Sequence, residues 1–233
     1  MHTSKVNSRV LLSKRLSAAA FAVREGSRVA DVGCDHGKLA ASLVISGRCA
    51  LAYALDISEP SLNKATDLFC ALGITERAKA LLSDGLSALD GKMTDDVIIA
   101  GLGCDTILKI IEEAPWLMDG GKRLILAPHS RHTELRRSLY FKGFEIIEEH
   151  AVFEAGHCYT VITAAYCGEK KSISPVFAAL GKISPLEADA AAYFACVRQR
   201  YEAILCGMSL TGRNNRAKTD EAGEVLAYLR NNT

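Results

Sequence analysis

The stretch "VADVGCDHGKLAASL", residues 29–43, places two carboxylates, a thiol and an imidazole among glycines between two apolar runs. Side chains of these types can bind a metal ion, form a catalytic dyad or line a nucleotide-binding turn. Cys34, Asp35 and His36 are consecutive, and three consecutive residues rarely converge on one ion. Because the sequence has no second Cys/His cluster at ligand spacing, we expect no metal site.

The spacing of the acids and glycines favours a cofactor-binding turn at the end of a strand. The pattern is Asp31-x-Gly33-x-Asp35-x-Gly37, with His36 beside the last glycine. It differs from the Gly-x-Gly-x-x-Gly turn that seats a pyrophosphate on a helix start. Two carboxylates would repel a diphosphate, but they suit a ligand that carries ammonium and sulfonium charges. S-adenosyl-L-methionine is such a ligand, and we expect it as the cofactor.

Acidic residues also follow the next two expected strands. Asp56, with Ile57 after it, ends the second strand, where a carboxylate can accept hydrogen bonds from both hydroxyls of a ribose. Asp84 and Gly85 follow the third strand, where a carboxylate can meet an adenine amino group. The alternatives are that Asp56 begins a helix cap and that Asp84-Gly85 is an ordinary turn. The order of the three acidic segments is typical of an S-adenosylmethionine-binding fold.

Alternating apolar runs and amphipathic stretches must position these residues, and they predict an α/β fold with a mainly parallel sheet. Strands are expected at Arg28–Gly33, Ala50–Asp56, Ala78–Ser83, Asp96–Gly101 and Arg123–Ala127. Helices are expected near 37–46, 58–72, 103–113 and 131–142. After Gly143, two β-rich runs joined by a Glu-Ala-Gly turn predict an antiparallel edge hairpin that ends near Tyr166.

The last quarter of the chain has no strand pattern. Residues 167–175 are polar and basic and end in proline, which predicts a linker. Residues 176–233 predict a helical, coiled-coil-like hairpin, because apolar residues recur at spacings of three or four in both of its halves. The apolar positions are Tyr193, Val197, Tyr201, Leu205 and Met208, then Val225, Leu226 and Leu229. We therefore expect a domain over 1–166, which includes an N-terminal helix, and a helical unit over 176–233.

Composition and charge limit the kinds of protein that this chain can be. The chain has 233 residues, is 49% hydrophobic and carries a formal net charge of +1, so no global field indicates a nucleic-acid or membrane partner. The early apolar run Ala18–Val23 is too short for a signal core or a membrane span, and we expect a cytoplasmic protein. Eight scattered cysteines without a Cys-x-x-Cys pair are expected to be reduced. The oligomeric state stays open, with a monomer favoured.

Basic residues are nevertheless concentrated in two places. The N-terminal stretch carries Lys5, Arg9, Lys14, Arg15, Arg24 and Arg28 against the single acid Glu25. The helical tail carries Arg198, Arg200, Arg213, Arg216 and Lys218. Such clusters either contact phosphates or form solvated helix faces. We favour phosphate contacts with RNA for both clusters, and we expect Arg15, Arg198 and Arg200 to make such contacts.

Nearly the whole chain resembles the bacterial tRNA adenine(22)-N(1)-methyltransferases, the TrmK family. The segments that carry the resemblance are "LSKRL", "DVGCDHGKL", "SDGL", "IIAGLGCDTI" and "LAPHS" with the hairpin after it. The resemblance implies a Rossmann-like class I methyltransferase domain with a coiled-coil tail that acts on tRNA. The chain departs from the family pattern at Lys38, Cys104, Ala127 and His129, where relatives carry Tyr, Gly, Gln and Asn.

Methylation of adenine at ring nitrogen 1 depends mainly on positioning, because that nitrogen already carries a lone pair. In a helix the nitrogen faces the partner base, so the enzyme must flip the nucleotide into a pocket. We expect Gly101 to lie beside the cofactor, and Gly103 and Pro128 to lie against the base. We expect Asp105 or His129 to contact the edge of the adenine. The alternative for Asp105 is that it caps the helix that follows. Two alternatives stay open: an RNA-binding protein with a vestigial cofactor fold, and a methyltransferase for another RNA or a small molecule.

Overall fold

A seven-stranded sheet forms the centre of the computed structural model, which describes residues 10–211 and 216–232. The strands are β1 (Ser27–Val32), β2 (Cys49–Asp56), β3 (Ala78–Leu82), β4 (Asp96–Ala100), β5 (Arg123–Ala127), β6 (Phe144–Glu154) and β7 (His157–Tyr166). Their order is β3-β2-β1-β4-β5-β7-β6. The first five strands are parallel, and β7 is antiparallel to both of its neighbours. The predicted α/β fold with an antiparallel edge hairpin is confirmed.

Helices cover both faces of this sheet. They are α1 (Lys14–Ala22), α2 (Lys38–Ile45), α3 (Glu59–Ala71), α4 (Cys104–Glu113), α5 (His132–Phe141), α6 (Pro175–Leu180), α7 (Ala190–Thr211) and α8 (Arg216–Asn232), with a 3₁₀ turn at Pro115–Met118. Ser58 caps α3 as a side-chain acceptor for the Ser61 N–H, and Pro60 occupies the first turn. The predicted strands and helices of the sheet region all agree with the structure to within one residue.

Alternation along the strands divides the core into two layers. In β4, Ile98 faces the helices α1, α2 and α3, whereas Val97 and Ile99 face α4 and α5. All three side chains are fully buried. A parallel strand that is apolar on both faces must be covered on both faces, and this is why the crossover helices lie on either side.

Two of the C-terminal helices, α6 and α7, are held against the sheet domain by a buried ion pair. The Arg136 guanidinium of α5 and the Glu149 carboxylate of β6 are fully buried and 2.6 Å apart. The same guanidinium donates to the carbonyls of Ala178 and Ala179 in α6, at 2.8 and 3.0 Å, and to the Tyr193 hydroxyl of α7, at 2.8 Å. One charged pair therefore joins a crossover helix, the edge hairpin and the tail.

The tail contains the expected hairpin and one helix more. Tyr193, Val197 and Tyr201 of α7 are buried against Val225 and the other predicted positions of α8. The short helix α6 was not expected. The segment before it, residues 167–174, has neither helix nor strand and lies along α5, where the Lys171 N–H donates to the Tyr140 carbonyl.

The expectation of reduced thiols is wrong for one pair of cysteines. Cys158 of β7 and Cys196 of α7 form a disulfide with a Cα–Cα distance of 6.7 Å. They lie 38 residues apart in sequence, and only the packing of α7 against the hairpin brings them together. Their sequence spacing therefore gave no indication of the bond.

Some of the residues named from the sequence lie outside the described part of the chain. These are Lys5, Arg9 and Arg213, together with the side chain of Met208. Across residues 10–211 and 216–232, no helix has both the length and the apolar character that a membrane crossing requires.

The buried pair predicts a large loss of stability for Glu149→Gln, because this variant leaves the Arg136 charge buried without its counter-ion. We expect the free energy of unfolding to fall by about 3–5 kcal/mol. Glu113→Gln removes an exposed i,i+4 partner of Lys109 and should cost less than about 1 kcal/mol. Urea denaturation followed by circular dichroism measures both, and equal losses would contradict the structural role of the buried pair.

Candidate functional site

The candidate site lies at the carboxyl ends of the parallel strands, where β1 stands between β2 and β4. From β1 the chain runs outward to β2 and β3, which lie on one side of β1 in the sheet. It then returns to β4, which pairs with the other side of β1. Such a reversal of strand order opens a crevice between the connecting loops. The N–H groups of Gly33 and Cys34 both donate to the Leu55 carbonyl, at 2.9 and 3.0 Å, and fix the first loop beside β2.

Glycine serves two different purposes in this first turn. Gly33 and Gly37 both have positive φ angles, of 72° and 67°. A Cβ on Gly33 would meet only the Leu102 side chain, at an ordinary distance of 3.6 Å, so its exposed backbone is open to a ligand. A Cβ on Gly37 would lie 2.7 Å from the Ala65 Cβ and 2.8 Å from the Phe69 ring. The expected close approach of a ligand therefore fits Gly33, whereas Gly37 allows α2 to pack against α3.

Asp31 is a buried carboxylate with an unused oxygen. The residue is 3% exposed, and the backbone N–H of Ala40 donates to its carboxyl group. Within the described residues, the second oxygen, Oδ2, is buried and has no hydrogen-bond partner. Burial, and to a lesser degree the charge of Asp56, raises the pKa of Asp31 to about 7. A ligand with an N–H donor or a positive charge would satisfy this oxygen.

Asp56 joins the first two turns of the crevice. Its Oδ2 accepts from the Asp35 N–H at 3.2 Å, and its Oδ1 accepts from the Ser58 N–H at 2.9 Å. The bond from Ser58 is local and is the one expected if Asp56 begins a helix cap. The bond from Asp35 connects two different loops. Ile57 is 73% exposed beside it. Asp56 thus lies where a ribose contact was predicted, and its carboxylate already holds the loop that such a ligand would touch.

The imidazole of His36 lies on the rim of the first turn. Its Nε2 is 3.2 Å from the Lys64 Nζ of α3 and 3.3 Å from the Asp35 carboxylate. Lys64 was not singled out from the sequence, because its position depends on the packing of α3. No group of three or more His, Cys, Asp or Glu side chains among the described residues is arranged to hold a metal ion.

Ser83 organises the third loop, a role that the sequence pattern did not indicate. Its buried hydroxyl donates to the Gly85 carbonyl at 3.0 Å and accepts from the Ala88 N–H at 3.2 Å. Gly85 has a φ of 57°, and a Cβ there would lie 3.0 Å from Ile110 of α4. The Asp84 side chain is left exposed at the crevice side of β3.

The ends of β4 and β5 form the other wall of the crevice. The His129 N–H donates to the Leu102 carbonyl at 2.9 Å, so the loop around Gly101 and Gly103 lies beside Pro128-His129. The His129 side chain is exposed and Pro128 is buried. The structure therefore brings together the residues that were predicted to receive the base.

Asp105 lies in the first turn of α4, with a side chain that is 80% exposed. It does not cap the helix, because the N-cap residue is Gly103 and no side chain caps this end. Both oxygens of its carboxylate instead accept from the Nη1 of Arg131, Oδ1 at 2.8 Å and Oδ2 at 2.6 Å. The proposed role of Asp105 at the adenine edge would require this pair to open or to share the carboxylate.

The two tail arginines lie in different environments. Arg198 donates to the Leu229 carbonyl at 3.2 Å and so joins α7 to α8. Arg200 is exposed, 3.8 Å from Glu134, and lines a cavity of about 350 Å³ between α7 and the start of α5. Neither arginine borders the turns after β1, β2 or β3 in these contacts, so any contact they make with RNA lies away from the cofactor side.

Comparisons with known proteins match this arrangement. Residues 12–162 match the family described as a methyltransferase domain. The tRNA (adenine(22)-N(1))-methyltransferase of Bacillus subtilis is 31% identical over 153 residues, which cover 66% of this chain and 64% of that protein. A candidate tRNA methyltransferase of Mycoplasma pneumoniae is 32% identical over 155 residues, 65% of this chain and 70% of that protein. The matched segment thus spans just under two thirds of the Bacillus protein.

A solved structure extends the likeness over nearly the whole chain. It is a candidate tRNA (m1A22) methyltransferase of Streptococcus pneumoniae in complex with S-adenosyl-L-methionine. The TM-score is 0.78 at 28% identity, and the alignment covers 93% of this chain and 100% of that chain.

The two glycines of the first turn predict losses of stability of different size for the same substitution. Gly37→Ala combines backbone strain with a collision against α3 and should lower the free energy of unfolding by about 2–4 kcal/mol. The new methyl group of Gly33→Ala meets only the Leu102 side chain at an ordinary contact distance, so the variant should cost only the backbone strain, about 1–2 kcal/mol, while the methyl group obstructs ligand approach. Chemical denaturation of both variants tests the difference, and a larger loss in Gly33→Ala would contradict the assignment.

Proposed function

The chain belongs to the methyltransferase-domain family, and from this premise we propose that it transfers a methyl group from S-adenosyl-L-methionine to ring nitrogen 1 of adenine in tRNA, at position 22. The relative with that activity in its name is 31% identical, and the neighbouring structure with bound S-adenosyl-L-methionine is 28% identical. The proposed partner is therefore tRNA.

The observation that carries the proposal is the pair of carboxylates at the carboxyl ends of β1 and β2. Asp31 has a buried oxygen without a donor in the described residues, and Asp56 holds the adjoining turns together. The residues fit the cofactor. Its ammonium and sulfonium groups carry positive charge, which a carboxylate attracts, and its ribose hydroxyls can donate hydrogen bonds to a carboxylate. When bound, the cofactor supplies an electrophilic methyl group on its sulfonium.

Each loop of the crevice has a definite task under this proposal. Asp31 attracts the cationic end of the cofactor, Gly33 allows its close approach, and Asp56 accepts from the ribose. The Ser83 hydroxyl fixes the loop that carries Asp84 toward the adenine side. These groups orient the cofactor, and orientation is the main requirement of a transfer whose nucleophile is already a lone pair.

The substrate wall must hold a flipped adenine and exclude its partner base. Gly101 is exposed and Gly103 is half-buried, so neither places a side chain in the way of a flat base, and the exposed His129 lies on the neighbouring loop. Methyl transfer to nitrogen 1 leaves the base cationic, so a nearby carboxylate such as Asp105 would stabilise the product. Asp105 and His129 are our proposed residues for the adenine edge.

Mapping the methyl group in tRNA tests the proposed function. Pure protein incubated with an unmodified tRNA transcript and S-adenosyl-L-methionine should yield one N1-methyladenosine per tRNA, at position 22, by nuclease digestion and mass spectrometry. A transcript with guanine at that position is the matched control and should accept no methyl group. Cofactor and tRNA binding without transfer would instead support the vestigial-fold alternative.

The proton affinity of Asp31 predicts a pH dependence of cofactor binding. Because the pKa of Asp31 is raised to about 7 and a cationic ligand prefers the ionised carboxylate, binding must displace a proton below that pH. We expect affinity for S-adenosyl-L-methionine to rise between pH 6 and pH 8, by up to about tenfold per pH unit below 7.

Titration calorimetry at three pH values measures this dependence, with Asp31→Asn as the control. The variant should bind more weakly and lose the part of the dependence that comes from the carboxyl group. An identical pH profile in both proteins would exclude Asp31 from the cofactor site.

A further inference from the structure

Arg15 of α1 stacks on an aromatic ring at the mouth of the crevice. Its guanidinium carbon lies 4.7 Å from the centroid of the Tyr159 ring of β7. Its Nη2 is 3.5 Å from the position that a Cβ on Gly101 would occupy, so the guanidinium lies against the end of β4. A guanidinium held over a tyrosine face is fixed in orientation, because cation–π attraction and ring packing act together.

The charge of Arg15 is not neutralised within the described residues. Its Nε and Nη1 are buried without a hydrogen-bond partner there, and no carboxylate lies within ion-pair distance. Arg24 and Arg28, which follow on the same segment, each pair with an aspartate, at 2.5 and 2.7 Å. A cation that is ordered and left without a partner costs free energy in the folded protein. An anionic ligand would offset this cost.

Other groups around the ring extend this surface. The rings of His129 and His157 each lie 6.2 Å from the Tyr159 ring. The surface also adjoins the cofactor turn, because Gly101 is next to Leu102, whose side chain faces Gly33. The unpaired cation thus lies beside the loop that receives the target base, within reach of the backbone next to that base.

We propose that Arg15, held by Tyr159, binds a phosphodiester group of the tRNA next to the flipped adenosine. The inference rests on the proposed function and adds a substrate subsite to it. A phosphate fits because a guanidinium N–H without a protein partner prefers a charged oxygen acceptor, and because Nη2 is not buried as Nε and Nη1 are, so it is the nitrogen that a phosphate oxygen can reach first. Tyr159 is then a positioning residue, which reduces the cost of ordering the arginine on binding.

The test compares Arg15→Gln with Arg48→Gln. Arg48 forms a similar stack on Phe21, at 5.5 Å, but its donors already bind the carbonyls of Val23 and Phe21. We expect Arg15→Gln to weaken tRNA binding about tenfold and to reduce the slope of log affinity against log salt by about 0.7–0.9, the contribution of one phosphate contact. Affinity for S-adenosyl-L-methionine should be unchanged, and Arg48→Gln should leave tRNA affinity and slope as in the wild type.

Further variants distinguish the role of the Tyr159 ring from that of the Arg15 charge, and cofactor affinity shows whether each variant is folded. Arg15→Lys keeps the charge and should retain the salt slope with a smaller loss of affinity. Tyr159→Leu should weaken tRNA binding, and Tyr159→Phe should restore it, since the aromatic face is what holds Arg15. Unchanged cofactor affinity in each variant shows that the domain is folded.

Two results would overturn the proposal. One is wild-type tRNA affinity and salt slope in Arg15→Gln, and the other is an equal loss in Arg48→Gln, which would indicate a general effect of charge. Either result, together with normal methylation by the wild-type protein, rejects this subsite and leaves the proposed function standing. Failure of the wild-type protein to methylate tRNA would reject the proposed function, and the tRNA affinity and salt slope of Arg15→Gln would still decide the phosphate contact separately.

Discussion

The pairing of β1 with parallel neighbours on both sides is the constraint on which the rest of the site depends. β1 pairs with β2 along its whole length and with β4 from Val29 to Val32, so the three carboxyl ends lie at one edge. Strand order reverses at this point, and the loops diverge to leave a crevice. The Leu55 carbonyl then holds two N–H groups of the first turn, and the Asp56 carboxylate ties the same turn to α3. The acidic residues lie close together here because the parallel pairing places the carboxyl ends of these strands at one edge of the sheet.

A second level of organisation connects this crevice to the tail. Helix α1 lies between them, and two consecutive residues at its start face different ways. Lys14 pairs with Asp189, which precedes α7, at 2.6 Å, while Arg15 lies over Tyr159 beside Gly101. The buried Arg136–Glu149 pair fixes α6 and α7 on the same hairpin. The tail therefore packs on the same hairpin that carries Tyr159, and under the proposed function a tRNA could contact both surfaces.

Local patterns in the sequence predicted the sheet region well, because short apolar runs and cap residues determine strands and helices directly. They also located the acids at the strand ends. The same patterns missed the features that depend on tertiary packing. Gly37 is needed for contact between α2 and α3, Asp105 pairs with Arg131, and Arg198 joins two tail helices. The Cys158–Cys196 bond belongs to the same class, since each partner is distant in sequence.

The proposed function requires the carboxyl edge of β1 and β2 to hold the methyl donor. A crystal structure of the protein with S-adenosylhomocysteine, the demethylated cofactor, would locate the ligand. We expect the ribose hydroxyls to bind the Asp56 carboxylate, the amino group to lie on the side of Asp31 and the ligand to pass over Gly33. A ligand bound elsewhere, or one in this crevice without contact to Asp56, would contradict it.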